Sequence, residues 1–128
     1  MQAEMRFAKS HEWIRPEAEG LATVGISAYA VEALTDLVFM QLPAVGRRVK
    51  AGESIGEIES VKAVSDIYSP VSGEIVAVNS TLPDRLETLG KDPYGDGWIV
   101  RIRPDSAAEI AGLLDRATYD ATIGSQPH

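Results

Sequence analysis

The segment Gly56-Glu57-Ile58-Glu59-Ser60-Val61-Lys62-Ala63-Val64-Ser65-Asp66-Ile67-Tyr68-Ser69-Pro70-Val71-Ser72-Gly73-Glu74-Ile75 carries most of what the sequence indicates about this chain. Similar apolar pieces lie near its two ends, at residues 55–58 and 72–76, and a short polar centre separates them. Two β-prone runs around a polar centre predict a hairpin. We expect the return strand to run from Gly73 to Val78 and Lys62 to lie at the tip.

Lys62 has an unusual chemical neighbourhood for a surface lysine. Glu59 precedes it by three residues, Asp66 follows it by four, and no other basic residue occurs between Ala51 and Arg85. Most lysines at loop tips are simply hydrated charges. A hydrated amine beside acids is a poor Schiff-base nucleophile, which burial would have to activate. It remains an accessible acceptor for acylation, so Lys62 is a candidate modification site.

These residues resemble the lipoyl-attachment hairpin of H proteins of the glycine cleavage system. The similarity includes Glu59-Ser60-Val61-Lys62-Ala63 and continues from about Arg6 to Ala121. Two further motifs that carry it are Ser10-His11-Glu12-Trp13 and Asp92-Pro93-Tyr94-Gly95-Asp96-Gly97-Trp98.

The resemblance implies a mainly β fold, the barrel-sandwich hybrid of lipoyl and biotinyl carriers, with short helices and a C-terminal helix. Many short strands separated by turn signals independently favour a β sandwich or barrel. The 128 residues are expected to form a single domain. Residues 1–5 and 124–128 are expected to fray.

The resemblance also implies a carrier function without turnover of its own. Lipoate would be attached to Lys62 by an amide. It would carry the aminomethyl group of glycine from the P protein, a pyridoxal-phosphate decarboxylase, to the T protein, an aminomethyltransferase. The L protein, a dihydrolipoamide dehydrogenase, would reoxidise it. A short tether makes each later encounter effectively intramolecular.

Five further site residues follow from the resemblance. Glu59 and Gly73 are predicted to be recognised by the lipoate-attaching enzyme. Ser10, Glu12 and Asp66 are predicted to line a cleft that receives the loaded arm, with Glu12 as the main counter-ion of its ammonium. No residue is predicted to be catalytic.

Composition excludes several other classes of function. The chain has 12 basic and 19 acidic residues, a net charge of −7, which disfavours nucleic acid and anionic membranes as partners. There is no cysteine and there are only two histidines, so no metal site is expected. The absence of a long apolar run and of a visible signal peptide leads us to expect a cytoplasmic protein.

Periodicity and capping signals predict the remaining elements. Strands are expected from about Trp13, from Leu21 to Ile26, from Leu37 to Leu42 in a buried position, and from Trp98 to Arg103 with one buried face. Helices are expected from Ala28 to Leu34 after the cap Ser27, across residues 79–89 up to Gly90, after the capping box Ser106–Glu109, and around Tyr119. His11 is expected to be a structural, hydrogen-bonding residue. The basic cluster Arg47-Arg48-Val49-Lys50 is either a solvated turn or a docking point.

Three alternatives compete with glycine cleavage. A similar lipoyl carrier could serve lipoate relay or a heterodisulfide-reductase-like sulfur oxidation, and departures from the usual pattern at Ser27, Ala28, Thr35 and residues 86–90 leave this open. Biotin carriage is disfavoured because Val61 and Ala63 stand where biotin carriers prefer methionine. A Schiff-base enzyme would need a buried lysine.

Overall fold

The computed structural model describes residues 5–124, which form short strands and short helices. The predicted fraying of residues 1–5 and 124–128 falls mostly on positions outside the described residues, and Gly124 is the last residue of a helix. The strands are β1 (Arg6–Phe7), β2 (Glu12–Pro16), β3 (Ala22–Ile26), β4 (Leu37–Gln41), β5 (Arg48–Val49), β6 (Ser54–Ser60), β7 (Val64–Tyr68), β8 (Gly73–Val78) and β9 (Val100–Pro104). The α-helices are α1 (Ala28–Leu34), α2 (Glu87–Lys91), α3 (Ala107–Ala111) and α4 (Arg116–Gly124), and 3-10 turns occupy Ala18–Gly20 and Leu82–Asp84.

The strands form two antiparallel sheets. The larger sheet has the order β1-β2-β3-β9-β8-β5, and the smaller has the order β4-β6-β7. The predicted mainly β fold with short helices and a C-terminal helix is confirmed. Residues from both sheets meet in one apolar cluster, in which Ile75 and Ile102 come from the larger sheet and Ile58 and Ile67 from the smaller. Burying an isoleucine contributes about 1.5–3 kcal/mol, so this cluster holds the two sheets together.

A second, aromatic cluster lies where the chain's two ends approach each other. It contains Phe7, Trp13 and Tyr119, all buried. The indole N–H of Trp13 donates to the carbonyl of Pro93 at 3.0 Å. The aromatic part of the Ser10–Trp13 motif therefore joins the first strands to α4 and to the 92–97 loop.

The predicted return strand of the hairpin is wrong. Strand β6 pairs with β7, with Glu57 opposite Asp66 and Glu59 opposite Val64. Residues 73–78 do form a strand, but it pairs with β9 in the larger sheet. The sequence did not indicate strand β7, because only its residue Ile67 is fully buried and the strand lacks a strong apolar pattern. Ser69 to Ser72 then carry the chain from one sheet to the other, and Pro70, which cannot donate a ladder bond, suits that crossing.

Strand β4 is not buried as predicted. Val38 and Phe39 are 56% and 47% exposed, and only Met40 is buried. The reason is that only one face of the smaller sheet is covered: Met40 lies opposite Ile58 on the core face, whereas Phe39 lies opposite Glu59 on the outer face. An apolar run indicates a buried strand only where both faces are covered.

The predicted helix over residues 79–89 is divided in two. Leu82 and Leu89 are buried, as the helical spacing indicated. Arg85, with φ −139° and ψ 49°, interrupts the helix between them, and Gly90 lies inside α2 instead of ending the predicted helix. The cap of α1 is confirmed, because Ser27 Oγ accepts from the N–H of Ala30 at 3.2 Å.

The capping box of α3 forms only in part. Ser106 Oγ accepts from the N–H of Ala108 at 3.2 Å, as a cap should. Glu109, however, accepts from the N–H of Ser72 at 3.0 Å and from its hydroxyl at 3.3 Å. Glu109 therefore stabilises the crossing between the sheets.

Candidate functional site

Lys62 lies in the turn that joins β6 to β7. The last ladder pair is Glu59 with Val64, and the N–H of Ser60 donates to the carbonyl of Ala63 at 2.8 Å to close the turn. The Lys62 side chain is exposed. It forms no ion pair with any residue between 5 and 124. The predicted tip position is confirmed, although the strand that follows the tip is β7.

Ser60 organises the turn, and the sequence reasoning missed it. Its Oγ accepts from the backbone N–H groups of Lys62 at 3.3 Å and Ala63 at 3.1 Å. From outside the turn, the carbonyl of Asp36 accepts from the N–H of Val61 at 3.1 Å. A serine before a turn commonly binds the backbone in this way, which is the signal that would have identified it.

Exposed apolar side chains surround the tip. Val61 is 70% exposed and Val64 60% exposed, and Phe39 and Val38 on β4 lie beside the same end of the sheet. Clustered exposed apolar groups are typical of interaction surfaces. An enzyme that reached the Lys62 amine would contact these side chains.

The structure separates the two residues predicted to be recognised during modification. Glu59 is half-buried in the ladder row that also contains Phe39 and Val64, next to the tip. Gly73 is buried at the start of β8, where a Cβ would collide with the carbonyl oxygen of Arg103. This close approach lies in the other sheet, away from the tip, so Gly73 would affect recognition only indirectly.

Ser10 and Glu12, two of the three predicted cleft residues, are in direct contact. Ser10 Oγ donates to Glu12 Oε1, while Glu12 Oε2 accepts from the backbone N–H of Tyr68 at 3.1 Å. Glu12 is only 2% exposed. Burial raises the pKa of Glu12, and the hydrogen bonds from Ser10 and Tyr68 oppose that rise.

Asp66 differs from Glu12 in exposure. Its side chain lies on the outer face of the smaller sheet and is exposed, and its Oδ2 accepts from the Tyr68 hydroxyl at 3.4 Å. Tyr68 thus contacts both predicted carboxylates, Glu12 through its backbone and Asp66 through its side chain. Sequence reasoning missed Tyr68, and no local pattern distinguished it from an ordinary strand residue.

His11 is a structural residue, as expected. Its Nδ1 lies 2.8 Å from the hydroxyl of Tyr119, and burial lowers the pKa of its imidazole.

Among the residues that the structure describes, no group of three or more potential ligands could hold a metal ion. Within the same part of the chain, no helix has the length and apolar character to cross a bilayer.

The basic cluster is largely neutralised within the chain. Arg47 pairs with Glu53 at 2.9 Å, and Arg48 pairs with Asp105 at 2.8 Å. These internal pairs favour the solvated turn over a docking point for acids.

Part of residues 86–90, the segment that departs from the usual pattern, lines a shallow cavity of about 420 Å³. Leu86, Glu87 and Gly90 of this segment share the cavity with Thr35 and Asp36. That segment therefore lies close to the residue whose carbonyl supports the tip.

Known proteins resemble the chain over nearly its whole length. The family model described as Glycine cleavage H-protein matches residues 5–126. The Glycine cleavage system H protein of Idiomarina loihiensis is 52% identical over 121 residues, which are 94% of each chain. The Glycine cleavage system H protein 2 of Pseudomonas putida is 55% identical over 122 residues, which are 95% of each chain.

A solved structure shows the same fold. The glycine cleavage system H protein of Mycobacterium marinum superimposes with a TM-score of 0.85 at 44% identity, covering 97% of this chain and 99% of the other. The relatives carry the glycine cleavage name, so they do not favour an H-like carrier of another pathway. The family match, the identities and the shared fold agree, and this chain belongs to the glycine cleavage H-protein family.

Proposed function

We propose that the Nζ of Lys62 carries lipoate through an amide and that the protein acts as the lipoyl carrier of glycine cleavage. The observation that carries this proposal is an exposed lysine at the tip of the β6–β7 hairpin that forms no ion pair with any residue between 5 and 124. Acylation needs an amine that a modifying enzyme can approach from several sides. The tip provides this, and the bonds to Ser60 and Asp36 hold the backbone of the turn in one conformation.

The residues at the tip fit such a group. No carboxylate among residues 5–124 forms an ion pair with Lys62 that acylation would break. Losing the lysine charge therefore costs the fold little. The attached dithiolane would supply reversible disulfide chemistry and a sulfur that holds the aminomethyl group, chemistry that a chain without cysteine cannot supply itself.

The protein's own contribution is to present and shelter the arm, without turnover of its own. The P, T and L proteins would act on it in turn, and lipoate-attaching enzymes would act before them. A surface with a net charge of −7 suits basic patches on such partners. This role places the protein in the compartment of those enzymes, which we propose to be the cytoplasm.

Ser10, Glu12 and Asp66 would receive the loaded arm, whose amine is cationic. Asp66 is the exposed carboxylate of this set and would meet the ammonium first. Glu12 already accepts one hydrogen bond from Ser10 and one from Tyr68, and its two carboxylate oxygens keep further lone pairs that can accept from the ammonium. A charged hydrogen bond in such a partly buried place is stronger than a neutral one.

Mass mapping and an exchange assay test this function. We expect a lipoyl mass on Lys62 and none on Lys9, Lys50 or Lys91 in a cell with lipoylation enzymes. The modified protein, with P protein and glycine, should exchange labelled bicarbonate into the glycine carboxyl group. Lys62→Arg should abolish both results, whereas Lys50→Arg should leave them unchanged. A lipoyl mass on another lysine would refute the assignment, and modification without exchange would indicate a carrier for another pathway.

A further inference from the structure

Ser10 and Glu12 stand on the two sides of a residue in an unfavourable backbone conformation. His11 has φ 81°, a left-handed value that residues with a Cβ seldom adopt. The N–H of His11 donates to the carbonyl of Ala8 at 3.0 Å, and the carbonyl of His11 accepts from the N–H of Ser27 at 2.9 Å. The direction in which the Ser10 and Glu12 side chains leave the β1–β2 loop therefore depends on this conformation.

The His11 side chain is held from the far end of the chain. Its Nδ1 lies 2.8 Å from the hydroxyl of Tyr119 in α4, and that hydroxyl lies 2.6 Å from Ser27 Oγ. Ser27 Oγ in turn accepts from the N–H of Ala30 at 3.2 Å. A continuous line of hydrogen bonds thus runs from the N-terminus of α1 through Tyr119 to the imidazole.

Tyr119 is well placed to hold this line. Its side chain is 2% exposed, and its ring stacks on Phe7 with the centroids 4.2 Å apart and the planes 5° apart. Burial raises the pKa of Tyr119 to about 12, so its hydroxyl keeps its proton near neutral pH. The imidazole of His11 also packs on Tyr29, with the centroids 4.7 Å apart.

We propose that Tyr119 is a positioning residue for the arm-receiving site: it holds His11 in the left-handed conformation and thereby keeps Ser10 and Glu12 together. This inference rests on the proposed function of Glu12 as a counter-ion. Without the hydroxyl, the imidazole loses its bond to α4, and the loop can relax toward conformations that a residue with a Cβ prefers. The Ser10–Glu12 pair then no longer presents one geometry to the arm.

The chain offers a closely matched control in Tyr94. Its hydroxyl also binds the N-terminus of α1, accepting from the N–H of Ala28 at 3.0 Å, and its ring also packs on Phe7. No contact joins Tyr94 to His11 among the residues described. Tyr119→Phe and Tyr94→Phe therefore each remove one hydroxyl from the same aromatic cluster, but only the first frees His11.

Two readouts separate positioning from a general loss of structure. The first is the NMR spectrum of the imidazole nitrogens of His11 in the unmodified protein. We expect Tyr119→Phe to shift these resonances and Tyr94→Phe to leave them near the wild-type values. The second is ammonia release from protein pre-loaded by P protein and glycine, without T protein or tetrahydrofolate. Release should be about two- to tenfold faster for Tyr119→Phe, the effect of one lost hydrogen bond, with lipoylation unchanged.

Glu12→Gln distinguishes failure of this inference from failure of the proposed site. Glu12→Gln should itself speed release, and adding Tyr119→Phe to it should give little further effect, because both act through Glu12. If Glu12→Gln speeds release but Tyr119→Phe does not, the positioning role is refuted alone. If Glu12→Gln leaves release unchanged, the arm does not use Glu12 and both ideas fail. Should Tyr119→Phe not fold, His11→Phe, which removes the same hydrogen bond from the imidazole side, replaces it in the release measurements.

Discussion

Burial acts in opposite directions on two neighbouring side chains of the β1–β2 loop. It lowers the pKa of the His11 imidazole, because the imidazolium is the charged form, and it raises the pKa of the Glu12 carboxyl, because the carboxylate is the charged form. Burial therefore disfavours the charged form of each group relative to water. The loop that carries the predicted arm site is consequently sensitive to pH on the acid side of neutrality.

The pH dependence of unfolding should show the His11 contribution. Its folded pKa lies below the unfolded value of 6.5, so the unfolded chain binds more protons near and below that pH. The free energy of unfolding should therefore fall as the pH is lowered through 6.5 toward the folded pKa. Urea unfolding between pH 8 and pH 5 measures this fall.

His11→Asn provides the comparison, because asparagine tolerates the left-handed region but does not titrate. We expect this variant to lose about 0.5–1.5 kcal/mol at pH 8 through the lost bond to Tyr119. Its stability should then fall less than that of the wild type at lower pH. Glu12 acts in the opposite sense, losing a stabilising contribution as the pH rises above 4.5. Equal slopes in the two proteins would show that His11 is not the titrating group.

At the scale of elements, the β6–β7 hairpin combines a rigid turn with a mixed outer face. Paired residues of an antiparallel ladder share a face, so Phe39, Glu59 and Val64 form one row beside the tip, and Glu57 and Asp66 lie in the next. Such a row offers apolar contact and one negative charge beside the tip. An enzyme that modifies Lys62 can therefore bind this face of the hairpin as well as the amine.

Glu59→Ala should abolish most lipoylation without unfolding the protein. Glu59 is half-buried and makes no ion pair among residues 5–124, so the fold loses little. A charged contact with the enzyme is worth about 1.5–3 kcal/mol, which corresponds to roughly tenfold or more in rate. Initial lipoylation rates, with melting curves as a check on folding, measure the effect.

Glu57→Ala is the matched control, because Glu57 lies two residues earlier on the same strand and in the next row from the tip. It should be modified at nearly the wild-type rate. If both variants are modified equally well, recognition does not depend on Glu59. If both are equally impaired, the enzyme responds to the general charge of the face and not to a specific carboxylate.

At the scale of the whole molecule, hydrogen bonds as well as apolar packing connect the smaller sheet to the larger one. One is the bond from the N–H of Tyr68 on β7 to Glu12 on β2. The chain itself also crosses from the smaller sheet to the larger one after Tyr68. In this crossing Glu109 binds Ser72, and β8 begins at the next residue, Gly73. The arm site and the crossing therefore share the same seam between the sheets.

Gly73→Ala should destabilise the molecule as a whole. Its Cβ would collide with the carbonyl oxygen of Arg103, a backbone atom that cannot move without disturbing the β8–β9 ladder. Overpacking of this kind costs about 1–3 kcal/mol. Gly90→Ala is the control, because a Cβ there meets nothing within 4 Å and α2 gains up to about 1 kcal/mol of helix propensity. Urea midpoints measure both, and equal midpoints would contradict the close approach at Gly73.

The sequence by itself located the hairpin tip and much of the local structure. An isolated lysine between Glu59 and Asp66 sufficed to locate the tip, because a short polar segment between two β-prone runs is typical of a solvent-exposed hairpin turn. Ser27 sufficed to start α1, because its hydroxyl satisfies a helix N–H without help from elsewhere. Turns and helix caps depend on residues that are close together in the sequence, so the sequence alone is enough to predict them.

Only the tertiary structure decided which strands pair and which polar groups meet. Val64–Tyr68, and not residues 73–78, returns beside β6, because pairing depends on which face the assembled core covers. The exposure of Phe39 depends on the outer face of the smaller sheet being uncovered. The contact of His11 with Tyr119 joins residues 108 positions apart, and the burial of Glu12 depends on a strand 56 positions away. No local pattern encodes these distances, because they exist only once both sheets and α4 have packed.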